Sequence, residues 1–364
     1  MRTARNARTP TVLITGGAGF IGTNMAKHLL GQGQRVRIFD SYARPGSEQN
    51  ARWLREHYPR DLEIVEGDVC DRKAVRTAMN GVDHVYHFAA QVAVTSSLVE
   101  PLHDFDVNAR GTLNVLESVR DSSHPPSLIF SSTNKVYGIL PDVRVESEGK
   151  RYLPVDKELR AHGVSERRPL DFHSPYGCSK GCAEQYVLDY SRSFGLRTAV
   201  FRMSCIYGPH QHGNEDQGWV AHFMRRALAG EQVTIYGDGL QVRDALFVED
   251  LVAAFEAARE NIDSLQGEAF NIGGGVGNTL SLLELVDRLE QLCDEPLTLS
   301  FGEWRTGDQR YYVSDISKFR NATGWRPQVG IDQGLNALHG WLDGSGKNVI
   351  SPVARPDQRL SAGA

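Results

Sequence analysis

A tyrosine and a lysine four residues apart, in Tyr176-Gly177-Cys178-Ser179-Lys180, stand at the start of a helical pattern. That spacing puts phenol and ammonium on one helix face, one turn apart. A nearby cation favours phenolate and lowers a tyrosine pKa. Tyr176 is therefore expected to trade a proton near neutral pH, with Lys180 able to hydrogen-bond a ribose. The preceding apolar run, 127–131, leads into Ser132 and Thr133. A hydroxyl at the carboxyl end of a parallel strand faces the crevice where ligands bind. Thr133 is thus expected beside Tyr176, bonding a substrate hydroxyl; the plainer reading is a strand exit that caps the next turn.

A second constellation opens the chain. The run Thr11–Thr15 passes directly into Gly16-Gly17-Ala18-Gly19-Phe20-Ile21-Gly22 and a helical stretch over 20–31. Glycines allow a tight turn and a close backbone approach to a pyrophosphate, and a helix N-terminus adds its positive end. The next apolar strand ends in Asp40. A carboxylate there accepts hydrogen bonds from a ribose and repels a 2′-phosphate, which favours NAD over NADP; Arg44 close by weakens that exclusion. Asp68, with its neighbour Val69, follows the third strand and is placed either for the adenine edge or as an N-cap.

Positioning these groups requires alternating strands and helices. Strands are expected at 11–15, 35–40, 62–66, 83–88, 127–131 and 197–202, with helices between them, notably 98–119 and 175–194. Such alternation predicts an α/β fold, a doubly wound parallel Rossmann sheet covered on both faces, over 11–204. From 205 to 343 shorter strands (232–236, 244–248, 269–272, 297–301) mix with helices near 217–229, 249–260, 280–292 and 331–342. This reads as a smaller mixed α/β lobe that binds substrate and shares parts of the core sheet. The polar stretch 139–173 is long enough to be a functional or mobile loop over the ligand. Residues 1–10, a basic tail, and 344–364 are expected to be disordered.

Composition narrows the function. With 364 residues, 40% apolar and 23% charged, the chain has material for a sizeable core and is neither disordered nor collagen-like. Its net charge of −5 lacks the basic excess of a nucleic-acid binder. No apolar run reaches the length of a membrane span, and no h-region follows the first arginines. The five cysteines are odd in number and form no CxxC, which suits a reducing cytoplasm. Cys178 and Cys182 read as small buried residues. His210 and His212 lack further ligands at metal-binding spacing, so no metal is expected.

These motifs occur with others in a specific order: His87-Phe88-Ala89-Ala90, Asn108 within DVNARGTLNVLE, SSTNKVYG, SPYGCSK, RDALFVED (243–250) and FNIGGG (270–275). Over about 11–342 the chain resembles the extended short-chain dehydrogenase/reductase family, in particular its NAD-dependent nucleotide-sugar epimerases and dehydratases. STNKVYG, LDFHSPYGCSKG and NEDQGWV most resemble the CDP-tyvelose (CDP-paratose) 2-epimerase group. The resemblance implies hydroxyl, base and helper roles for Thr133, Tyr176 and Lys180. It implies that Gly16, Gly19, Phe20, Ile21, Gly22, Asp40, Asp68 and Val69 hold a tightly bound NAD. It also places Ala89, Ala90 and Gln91 on the nicotinamide side, and has Asn108 order the backbone beside the catalytic strand.

On the sugar side, the resemblance assigns the nucleotide diphosphate to Arg243 and Arg305, whose guanidinium forks suit phosphate oxygens. The alternative for each is a salt bridge, to Asp244 or Asp250 and to Asp308 respectively. Cys205 stands where many relatives carry asparagine, a weak thiol donor in place of an amide. Dehydratases of the family place an Asp-Glu pair directly after the strand-end threonine; here those positions are Asn134 and Lys135, which cannot act as a carboxylate acid/base pair. Epimerisation is the expectation: Tyr176 takes a sugar hydroxyl proton while hydride passes to NAD, and the keto-sugar recovers it on its other face. The expected reaction is inversion at C2 of a CDP-linked hexose. Alternatives are a 4-epimerase of a UDP- or GDP-sugar and a catalytically silent NAD-binding sensor. In relatives, the helices near 98–119 and 180–194 bundle with another subunit, which implies a homodimer or homotetramer.

Overall fold

Strand-forming runs that are apolar at every position need cover on both faces, and the chain supplies it. The computed structural model describes residues 11–344; the expected tails at 1–10 and beyond Gly344 lie outside them. We number the strands of the main sheet among themselves: β1 (Thr11–Thr15), β2 (Arg35–Asp40), β3 (Leu62–Glu66), β4 (His84–His87), β5 (Ser127–Thr133), β6 (Thr198–Met203) and β7 (Glu268–Ile272). They lie in the order β7-β6-β5-β4-β1-β2-β3, all parallel. This is the doubly wound Rossmann arrangement, with its switch point between β1 and β4.

Successive residues of a strand point to opposite faces, and the two cores divide accordingly. Val12 and Ile14 pack with Met25 and Leu29 of helix Phe20–Gly31 and with Leu251 and Phe255 of helix Val248–Glu260. Leu13 packs on the other face with Val115 and Val119 of helix Gly111–Arg120 and with Ala183 and Val187 of helix Ser174–Phe194. A third core, built on Met224, Ile235, Phe247, Leu289 and Leu338, belongs to the smaller lobe. Its helices are Trp219–Leu228, Leu282–Cys293 and Ile331–Leu342, with short strands Val233–Tyr236 and Val242–Phe247. The chain crosses back from this lobe to place β7 at the edge of the main sheet.

Three expectations need correction. The helix expected over 98–119 is four short pieces: Val94–Val99, Pro101–Phe105, a π-helical turn Asp106–Arg110, and Gly111–Arg120. Pro101 lacks the N–H that continuation would use and restarts the helix at its first turn. The segment 139–173 is not a structureless loop. Val145–Glu148 and Arg151–Pro154 form an antiparallel hairpin turned at Gly149, whose φ of +59° favours glycine. Asp156 then caps a short helix, Lys157–His162. The hairpin docks on the smaller lobe through Arg151 with Glu284 and Tyr152 with Asp238. None of 139–173 lines the central cleft. Finally, Cys178 is exposed and Cys182 half-buried, and all five thiols are free.

Candidate active site

A cleft of about 850 Å³ runs along the carboxyl ends of the strands, between the sheet and the smaller lobe. Its first wall is the glycine loop. Gly16 sits at φ +66° and donates its N–H to Phe39 O at 2.8 Å, joining the loop to β2. A Cβ on Gly22 would meet Gly16 O at 2.3 Å, so the helix can start this close to the turn only with glycine there. Asp40 closes the corner: its carboxylate accepts from Ala18 N at 2.9 Å and from Tyr42 N at 2.9 Å. Burial pushes its pKa up while those N–H groups pull it down. Gly19, Phe20, Ile21, Asp68 and Val69 line the same end. Asp68 also accepts from Cys70 N at 2.8 Å, so it shapes its own turn while facing the cleft.

The second wall follows β4. Ala89, Ala90 and Gln91 line the cleft. Asn108 lies behind them: its Oδ1 accepts from Gln91 N at 2.9 Å and its Nδ2 donates to Gln91 O at 3.1 Å. It is buried in the π-helical turn, so it acts on the cleft through the Gln91 backbone. Widened turns of this kind recur at functional sites because the extra residue re-aims a side chain.

Thr133 ends β5, and Tyr176 opens the helix Ser174–Phe194. The Thr133 hydroxyl accepts from Lys135 N at 3.2 Å and so caps the next turn, as the plainer reading expects, while facing the Tyr176 phenol closely enough to act on its pKa. The phenol does not have the expected lowered pKa. Burial pushes it up to about 12, with Thr133 and Arg44 pulling it down and Asp104 pushing it up. Lys180 shares the face as its spacing requires, but its ammonium turns to the strand. Its Nζ donates to Ser131 O at 2.6 Å and sits 4.2 Å from the centre of the Phe130 ring. Burial lowers the Lys180 pKa to about 7, against Asp104 and Glu184, which raise it. In the polypeptide by itself, the phenol is neutral and lies beside Thr133.

The third wall carries the positive charge. Arg243 reaches in from strand Val242–Phe247 and binds Asp308 at 2.5 Å. Neither Asp244 nor Asp250, the sequence neighbours, is its partner: Asp244 is buried on Ser204 and Gly275 N, and Asp250 holds Gln328 N and Val329 N. Lys135 approaches the same Asp308 at 3.9 Å, and burial lowers its pKa to about 8. Arg305, whose alternative partner was Asp308, instead donates to Glu215 O at 2.8 Å, lies near the Glu215 and Asp216 carboxylates, and stacks 3.9 Å over the Tyr236 ring. Cys205 lines the cleft beside Trp219 with its thiol pKa pushed up to about 12 by burial, so it is neutral. Sequence reading had no signal for Asp308 beside Arg243, since the two are 65 positions apart.

Among the described residues, no three His, Cys, Asp or Glu side chains come together as metal ligands. No helix among them is long and apolar enough to cross a membrane.

Comparison with known proteins fits this geometry. The family model described as "NAD dependent epimerase/dehydratase family" matches residues 12–273. A CDP-paratose 2-epimerase of Salmonella typhi is 43% identical over 337 residues, covering 91% of this chain and 98% of that protein. A dTDP-glucose 4,6-dehydratase of Streptomyces griseus is 33% identical over 339 residues, 92% of this chain and 94% of that protein. The crystal structure of a Thermus thermophilus UDP-glucose 4-epimerase in complex with NAD superposes with a TM-score of 0.77. It is 32% identical and covers 92% of this chain and 99% of that one. Fold, cleft and sequence agree: the chain belongs to the NAD dependent epimerase/dehydratase family.

Proposed function

We propose that this protein is a redox-neutral, NAD-dependent epimerase of a sugar carried on a nucleotide diphosphate. The observation that carries the reading is the Thr133–Tyr176 hydroxyl pair, set between a dinucleotide-type glycine loop and a cluster of three cations in one cleft. The cleft fits NAD on its own chemistry. The tight Gly16–Gly22 turn leaves room only for backbone, and Asp40 keeps a fixed carboxylate at the ribose position. Bound there, the cofactor supplies a reversible hydride acceptor beside the sugar. Gly16, Gly19, Phe20, Ile21, Gly22, Asp40, Asp68 and Val69 would hold it, with Ala89, Ala90 and Gln91 at its reactive end.

The chain's own part is proton handling. Tyr176, oriented by Thr133, takes the proton of a sugar hydroxyl and returns it after the centre has inverted. A cationic ring close by favours phenolate, the charge that Lys180, turned to Ser131 O, does not bring to bear in the polypeptide alone. Arg243, Lys135 and Arg305 hold the diphosphate, for which their present carboxylate partners are the competitors. The two positions after Thr133 are Asn134 and Lys135, so no carboxylate stands there to drive elimination of water.

Two ring positions compete. The 4-epimerase reading has the wider support, from the Thermus structure and from further relatives such as the Mycolicibacterium smegmatis UDP-glucose 4-epimerase, 31% identical. The 2-epimerase reading on a CDP-sugar rests on the Salmonella relative at 43%. Proton NMR of the purified protein with CDP-, UDP- and GDP-hexoses, without added cofactor, separates them. A changed H1–H2 coupling marks inversion at C2, and a changed H3–H4 coupling marks C4. Retained NAD without turnover on any of them would move the assignment to a sensor. A homodimer or homotetramer in the cytoplasm belongs to the same proposal. Leu98, Val99, Leu102, Phe105, Tyr186 and Phe194 are exposed on the helices implied to bundle, and the unpaired thiols suit a reducing compartment.

A further inference from the structure

One buried acid near the cleft has no part in the chemistry above. Asp104 lies in helix Pro101–Phe105 and is fully buried, although Leu102 and Phe105 beside it are exposed. Its Oδ2 accepts from Ser179 Oγ, and its Oδ1 accepts from Asn108 Nδ2 at 3.1 Å. Ser179 lies three residues after Tyr176 and directly before Lys180, and its hydroxyl is also 3.2 Å from Tyr176 O. The Asn108 amide cannot turn over, because its Oδ1 is taken by Gln91 N and its Nδ2 serves Gln91 O and Ser179 Oγ. Position 104 therefore accepts from Asn108 on one side and meets, on the other, a Ser179 hydroxyl that can also turn to Tyr176 O.

We infer that Asp104 is a positioning residue for the reaction: its carboxylate locks the helix that carries Tyr176 and Lys180 to the Gln91 backbone behind the cleft wall. The inference rests on the epimerase reading. Through Ser179 it sets the height of the phenol, and through Asn108 the carbonyl and amide of Gln91. Its charge reaches both members of the pair, raising the pKa of Tyr176 and of Lys180. The other groups acting on them are Arg44 on the phenol and Glu184 on the ammonium. Burial pushes the pKa of Asp104 itself up, with Ser179, Lys180 and His103 pulling it down, and His87 feels Lys180 from β4.

The test uses the NAD-loaded protein with Asp104→Asn and Ser179→Ala. Asparagine keeps the size but removes the charge and presents an N–H where the carboxylate accepted, so the Ser179 hydroxyl must turn to Tyr176 O. It should lower kcat about tenfold to a hundredfold while KM for the nucleotide sugar holds within about twofold. Removing the negative charge also lets the phenol ionise more readily, so the acid limb of the kcat–pH profile should move to lower pH. Ser179→Ala keeps the Asp104 side chain and removes the hydroxyl that ties it, with Asn108, to the helix; kcat should fall, with the limb moved less than in Asp104→Asn. Wild-type kcat in either variant, or a lowered kcat in Asp104→Asn with an unmoved limb, would overturn the inference. Should the wild-type protein invert no nucleotide sugar, the epimerase reading fails by itself. Asp104 is then tested by absorbance titration of the phenol, each protein read against its Tyr176→Phe counterpart. A lowered phenol pKa in Asp104→Asn is expected, and an unchanged one would overturn it.

Discussion

The two long walls of the cleft are built on different physics. On the sheet side, Thr133, Tyr176 and Lys180 sit in a nearly dry environment, with Thr133 held by Lys135 N and Lys180 by Ser131 O. Burial there pushes the phenol up and the ammonium down, so both are held closer to neutral. On the lobe side, Arg243 and Arg305 are partly open to water, and acids cap them: Asp308 for the first, Glu215 and Asp216 for the second, while Lys135, in the turn after β5, reaches the same Asp308 from the sheet side. One wall is preorganised by burial. The other is held by ion pairs that an anionic ligand can exchange. This divides chemistry from recognition: changes on the sheet side should act on turnover, and changes on the lobe side on affinity.

The sharpest break of that division is Tyr176→Phe. Losing the phenolic proton carrier should lower kcat about 10²- to 10⁴-fold, with NAD content and melting temperature unchanged. Retained turnover would remove Tyr176 from the chemistry. The same variant serves as reference for the phenol titration. In the protein stripped of cofactor Tyr176 should ionise near pH 12, and adding oxidised NAD should shift that ionisation downward, because a cation favours phenolate.

Burial on the sheet side should also show in stability. Glu184 and Arg202 form an ion pair at 2.5 Å with side chains 0% and 7% exposed, and Glu184 also accepts from Ser132 at 2.6 Å, next to Thr133. Glu184→Ala leaves a buried guanidinium without its carboxylate and should cost about 3–5 kcal/mol in urea unfolding. Arg243→Ala should leave kcat near wild type and raise KM for the nucleotide sugar about tenfold to a hundredfold, the worth of charged hydrogen bonds. A larger fall in kcat than in affinity would place Arg243 with the chemistry instead. The smallest effect is expected from Glu215→Ala. Its contact with Arg305 is half-exposed, so stability should change by about 0–1 kcal/mol; a change like that of Glu184→Ala would erase the contrast.

What was legible in the sequence follows the same division. The glycine loop, Asp40 and the Tyr176–Lys180 spacing are local patterns: a strand, a turn and a helix must fold next to one another, so order in the chain becomes order in space. The apolar runs identified all seven strands of the sheet, β7 included, though not that β7 returns to its edge. The direction of the Lys180 ammonium was not legible. Spacing puts it on the face of Tyr176, but Ser131 O and the Phe130 ring, which capture it, come from another strand. The pairing of Arg243 with Asp308 was hidden for the same reason. Asp104 was missed because its role depends on the π-helical turn that brings Asn108 beneath Gln91, and apolar spacing over 98–119 reads simply as one helix. The hairpin in 139–173 was hidden by its composition: Glu146 and Glu148 alternate with Val145 and Ser147 in so polar a strand that it reads as loop.

The central claim is that Tyr176 moves only the hydroxyl proton, while the carbon-bound hydrogen leaves and returns without exchanging with water. Running the reaction to equilibrium in deuterium oxide with a nucleotide hexose, and reading the product by NMR, tests this directly. The account predicts an inverted centre that still carries protium. Deuterium at the inverted carbon would show inversion by proton abstraction from carbon, and would contradict the roles given to Thr133, Tyr176 and the dinucleotide loop.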